Sequence, residues 1–81
     1  MTIEEIIEKV TTALVEEFEI ELSEITPEAS LKDTLDLDSL DIVDLVVVIE
    51  QIFGVKLTNQ DFIGIVTFQD FCNLLNKKIN G

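Results

Sequence analysis

The chain has 81 residues, with 17 acidic side chains against 5 basic ones and a formal charge of -12. All five bases are lysines and there is no histidine. That balance excludes bare nucleic acid and membrane insertion driven by anionic lipid, because nothing here neutralises phosphates.

The expected partners are instead proteins with basic patches, met under electrostatic steering. Hydrophobic residues make up 47% of the chain, enough for a core, so disorder is not expected despite the charge. The length predicts one domain over residues 1–81, small enough to be marginally stable. A single cysteine, Cys72, rules out an internal disulfide, and 1-MTIEEIIEKV-10 carries acids where a signal peptide needs bases. Both point to a cytoplasmic protein. The longest apolar run, 45-LVVVI-49, is far too short to cross a bilayer.

Thr2 followed by Glu5 spells a capping box. Ile3, Ile6, Ile7, Val10, Leu14 and Phe18 then recur at helical spacing, which predicts a first helix over about residues 3–18. Glu4, Glu5, Glu8, Lys9 and Glu16 form its solvated face. Residues 19–37 hold no comparable period. They read as a long loop with apolar anchors at Ile20, Leu22, Ile25, Leu31, Leu35 and Leu37, and a turn near 27-PEAS-30. Loops of this length are uncommon unless they are pinned down or functional.

A second helix is predicted from Asp38 or Ser39 to Phe53, with Gly54 closing it. An aspartate at its start caps free N–H groups and suits the positive end of the dipole. The 46-VVV-48 run also fits a strand, but the length, the acid and the glycine favour helix. Thr58 with Asp61 opens a short third helix, ended by Gly64. Thr67 with Asp70 caps a last one, whose inward stripe is Phe68, Phe71, Cys72, Leu75 and Ile79, with Lys77 and Lys78 at its negative end. The expected fold is all-α: a small four-helix bundle with a long first loop and a short third helix.

Ser39 stands among Asp36, Asp38, Asp41 and Asp44. A nucleophilic serine needs a base, and no histidine exists, so a hydrolase is excluded and no enzyme activity is expected. One cysteine cannot build a zinc site. Counting Asp36 as the first position of a calcium loop puts Asp41 where glycine is needed and Val47 where glutamate is needed. No metal site is expected. Taken alone, Ser39 is a plain helix-start residue.

At 100° per residue from Ser39, Ile42, Leu45, Val46, Ile49, Ile52 and Phe53 fall in a sector centred near about 280°, the expected core face. Leu40, Val43 and Val47 fall between about 40° and 100°, beside Asp44 and Glu50. That second stripe is either covered by the first loop or the last helix, or is an exposed docking strip with an acidic rim.

The stretch 37-LDSLDIVDLVVVIEQIFGVKL-57 resembles the acyl carrier protein family, in which D-S-L-D is followed by an amphipathic helix ending in F-G. The resemblance spans nearly the whole chain, including the closing 67-TFQDF-71 helix. It implies a 4′-phosphopantetheine arm joined by a phosphodiester to Ser39, derived from coenzyme A and installed by a phosphopantetheinyl transferase. The arm's thiol, not Cys72, then carries acyl groups as thioesters. The resemblance implies a monomeric carrier for acyl-transfer and synthase enzymes with basic docking patches, in fatty acid, lipid or polyketide-type biosynthesis. Asp38, Leu40, Asp41, Val43, Asp44, Val47 and Glu50 are its expected docking residues. Aminoacyl carriers of the D-alanyl type share the L-D-S triplet, and an acidic adaptor without the arm or a metal-buffering protein is the rival reading. One departure stands out: family members of fatty acid synthesis often have glycine three residues before the serine, where this chain has Asp36. The loop there is expected to have less access to positive φ.

Overall fold

The computed structural model describes the backbone of residues 1–81 and every side chain except that of Asn59. Three α-helices form: α1 (Ile3–Phe18), α2 (Ser39–Phe53) and α3 (Phe68–Asn80). Two 3-10 turns, Leu22–Glu24 and Asn59–Phe62, lie in the connections. The expected short third helix is thus a single 3-10 turn, and the four-helix bundle resolves into three α-helices. The physical reason is local: Gly64 follows the turn closely, and four residues cannot complete an α-helical ladder.

Each helix begins on a reciprocal cap. In α1 the Glu5 amide donates to Thr2 Oγ1 at 3.2 Å, and the Thr2 amide donates back to Glu5 Oε1 at 3.2 Å. Thr67 and Asp70 repeat the pattern at α3. In α2 the pair is Asp38 and Asp41, so an acid plays the part that threonine plays elsewhere. Gly54 closes α2 in the left-handed region at φ 71°, its amide donating to the Glu50 carbonyl at 2.8 Å. The valine run is helical throughout.

The core is drawn from all three helices and from the long loop. Ile6, Val10 and Leu14 of α1 meet Leu45 and Ile49 of α2 and Phe68, Phe71, Cys72 and Leu75 of α3, all buried. No polar residue is buried among the described side chains. Ile20, Leu31, Leu35 and Leu37 anchor the first loop as expected. Leu22 does not: it is 64% exposed on the first 3-10 turn. Ile52, expected on the core face, is also exposed. Its wheel angle of about 220° lies at the sector's edge, and the core closes around Leu45 and Ile49 without it.

The loop is fastened to the far end of the chain. Leu31 donates its amide to the Val66 carbonyl at 2.9 Å, and Phe68 donates to the Ala29 carbonyl at 2.8 Å. These bonds flank an isolated antiparallel bridge between Ser30 and Thr67. The second 3-10 turn is held by Lys78, whose Nζ lies 3.2 Å from Asp61 Oδ2, and by Phe62 stacking on Phe71 with ring centroids 5.8 Å apart.

Candidate functional site

The site is built around the start of α2. Residues 30–35 fold into a tight turn: the Thr34 and Leu35 amides donate to the Ser30 carbonyl, and the Asp33 amide donates to Ser30 Oγ at 3.1 Å. Buried Leu35 and Leu37 then bracket Asp36, which projects outward and takes φ 55°. The position takes positive φ all the same, at a cost that glycine would not bring. Aspartate tolerates the left-handed region better than most residues, though it is more strained there than glycine. The turn at Asp36 aims the chain into α2.

Asp38 is the cap of that helix. The Asp41 amide donates to Asp38 Oδ1 at 2.9 Å, and the Asp38 amide donates to Asp41 Oδ2 at 3.2 Å. Ser39 is consequently the first helical residue rather than the cap, and it is exposed. No hydrogen bond to its hydroxyl occurs among the described residues. Its hydroxyl faces solvent, and no histidine exists in the chain to act as its base.

The second stripe of α2 is open. Leu40 is 76% exposed, Val43 59% and Val47 49%, so neither the first loop nor α3 covers it. Asp44 and Glu50 are exposed beside it. Asp41 differs from the other expected rim residues: it is only partly exposed and one of its oxygens serves the cap.

Ser39 opens onto a cleft between the start of α2 and the segment before α3, with an apolar wall made by Ile42, Val43, Phe62, Ile65 and Val66. Phe62, Ile65 and Val66 did not stand out in the sequence, because only the pairing of the loop with residues 66–68 brings them to the serine. Lys32 lines the same cleft. An extended, partly apolar arm attached at Ser39 fits this geometry: it has an exposed root and an apolar surface alongside. Cys72 is different. It is fully buried in the core, and desolvation pushes its thiol up to about 12, far from the thiolate needed for acyl transfer. Among the described residues no group of three or more metal-ligating side chains converges. Among the described residues no helix is long and apolar enough to cross a membrane.

Comparisons with known proteins place the chain in a family. Residues 8–75 match the family model described as a phosphopantetheine attachment site. The chain is 39% identical to the acyl carrier protein of Petrotoga mobilis, over 99% of this chain and 94% of that one. It is 42% identical to the acyl carrier protein of Thermotoga maritima, over 94% of both chains. It is also 42% identical to the meromycolate extension acyl carrier protein of Mycobacterium leprae, over 95% of this chain and 67% of that one. With an exposed serine at the head of a capped helix, and relatives matching over nearly its whole length, this chain belongs to the acyl carrier protein family.

Proposed function

We propose that Ser39 is the attachment point of a 4′-phosphopantetheine arm and that the protein carries acyl groups between partner enzymes. The observation that carries this reading is the unpartnered, exposed Ser39 hydroxyl beside an apolar cleft. Attachment replaces the Oγ–H bond with an Oγ–P bond. The phosphorus comes from coenzyme A, whose nucleotide half leaves, and the proton goes to a base on the transferase. The arm supplies a terminal thiol on which acyl groups ride as thioesters. The chain's own residues present the serine, offer the cleft wall and steer the partner.

Leu40, Val43 and Val47 supply contact area to those partners, and Asp38, Asp44 and Glu50 supply the field that orients a basic surface. Asp41 contributes charge to the same rim while holding the helix start. The carrier works as a monomer in the cytoplasm, catalyses nothing itself and meets transferases and synthases in turn.

Intact mass after incubation with coenzyme A and a broad-specificity phosphopantetheinyl transferase tests the assignment. Wild type gains one arm, and Ser39→Ala gains none while keeping its helical circular dichroism, because Asp38 and not Ser39 caps α2. A full mass gain on Ser39→Ala rejects the site.

A further inference from the structure

We infer that Lys32 is a positioning residue for the phosphodiester at the root of the arm. The inference rests on the attachment reading above and deepens it. The cleft beside Ser39 is lined by Asp33, Asp36 and Asp38, and Lys32 is its single basic residue. Only five bases exist in the chain, so one at the mouth of this cleft is a marked local reversal of sign.

Its backbone is held on both sides. Leu31 is buried and its amide is bonded to Val66, and the Asp33 amide is bonded to Ser30 Oγ. Lys32 therefore starts from a fixed origin while its flexible stem leaves the ammonium free to turn. The ion pair found among the described residues is Lys78 with Asp61, so none of the nearby carboxylates holds the Lys32 ammonium.

Attachment places a permanent negative charge on Ser39, next to Asp36, Asp38 and Asp41. These acids repel it, and Lys32 is the one group of opposite sign on the cleft that Ser39 lines. A second depression, lined by Glu17, Glu24, Asp41 and Asp44, offers no base. The Lys32 ammonium is thus the one base placed to offset that repulsion at the root of the arm. A lysine suits this task as a mobile point charge that needs no fixed fork geometry.

The test compares apo and holo forms of wild type, Lys32→Gln and Lys56→Gln. Lys56 is exposed, lines none of the clefts above, and matches the change in net charge. On conversion of wild type to the holo form, the Lys32 side-chain NMR resonances move more than those of Lys56. The phosphorus resonance of the holo protein shifts in Lys32→Gln and stays in place in Lys56→Gln. Conversion to the holo form lowers the melting temperature of Lys32→Gln by about 2 °C more than that of wild type, the scale of one exposed ion pair in a domain of this size. High salt shrinks that difference. If Lys32→Gln and Lys56→Gln give the same phosphorus resonance and the same melting change, net charge alone is at work and the proposal is overturned. If wild type gains no arm by intact mass, attachment itself fails, and this proposal fails with it.

Discussion

Polar replacement on the open stripe of α2 separates docking from folding. Fully burying a valine side chain is worth about 1.5 kcal/mol at the low end of the usual range. Val43 is 59% exposed and Val47 49% exposed, so each has already forgone about half of that. Val43→Asn should cost about 0.6 kcal/mol and Val47→Asn about 0.8 kcal/mol, since valine and asparagine have similar helix propensities. With a urea slope of about 1 kcal/mol per molar, the midpoints fall by less than about 1 M. Ile49, two residues beyond Val47 on the same helix, is fully buried. Ile49→Asn loses the whole transfer term and buries an unpaired amide, about 4 kcal/mol or more, against a total stability of about 4–12 kcal/mol. That removes about a third or more of the domain's stability, a far larger urea-midpoint shift than at Val43 or Val47. In a transferase assay, Val43→Asn and Val47→Asn lower kcat/KM by about fivefold or more, the scale of an interface residue that matters. A urea midpoint shift above about 2 M at Val43 or Val47 would show that the stripe is core. Unchanged kcat/KM in both variants would discard it as the partner surface.

Asp44→Lys slows modification of Ser39 through the association rate, and high salt brings it back toward wild type; an equal deficit at all salt concentrations refutes steering. Asp44 is the variant of choice because reversing Asp41 would also break the α2 cap. Asp36→Gly relieves the left-handed strain at φ 55°, and after the glycine's own entropic cost it raises stability by about 0.5 kcal/mol in a urea melt. A loss of stability there would mean that the Asp36 side chain supports the turn. The Asp70 carboxyl is held below its ordinary value of 3.8, mainly by the Thr67 amide and then by that of Val66. A folded pKa below the unfolded one gives stability that is fully present above 3.8 and is lost as pH falls through the folded value. The stability gap between wild type and Asp70→Asn therefore stays constant from neutral pH to about 5 and closes in stronger acid; a gap independent of pH in denaturant melts at each pH contradicts the cap's ionic character.

What the sequence made legible was local. Thr2 with Glu5, Thr58 with Asp61 and Thr67 with Asp70 all spell a cap at fixed spacing, and each one forms. The wheel of α2 separated Leu45 and Ile49 from Leu40, Val43 and Val47, because burial follows angle where neighbours lie on one side. Ile52 escaped because it stands at the edge of the sector, about 60° from its centre. The bridge between Ser30 and Thr67 joins two loops far apart in the chain, and no periodicity marks it. The wall at Phe62, Ile65 and Val66 and the place of Lys32 were hidden for the same reason. Asp36 takes positive φ between buried Leu35 and Leu37, a conformation that the sequence marks only as costlier than it would be for glycine.

The bridge between the first loop and the start of α3 has a topological meaning as well. Its two hydrogen bonds close the chain on itself, so that all of α2 lies inside a ring whose ends are already joined. A helix on a free chain end gains the entropy of that end when it loosens. A helix inside a closed ring gains far less, because the cost of closure has been met before the helix moves. Loosening α2 from α1 and α3 therefore releases less chain entropy than loosening a helix at a free end.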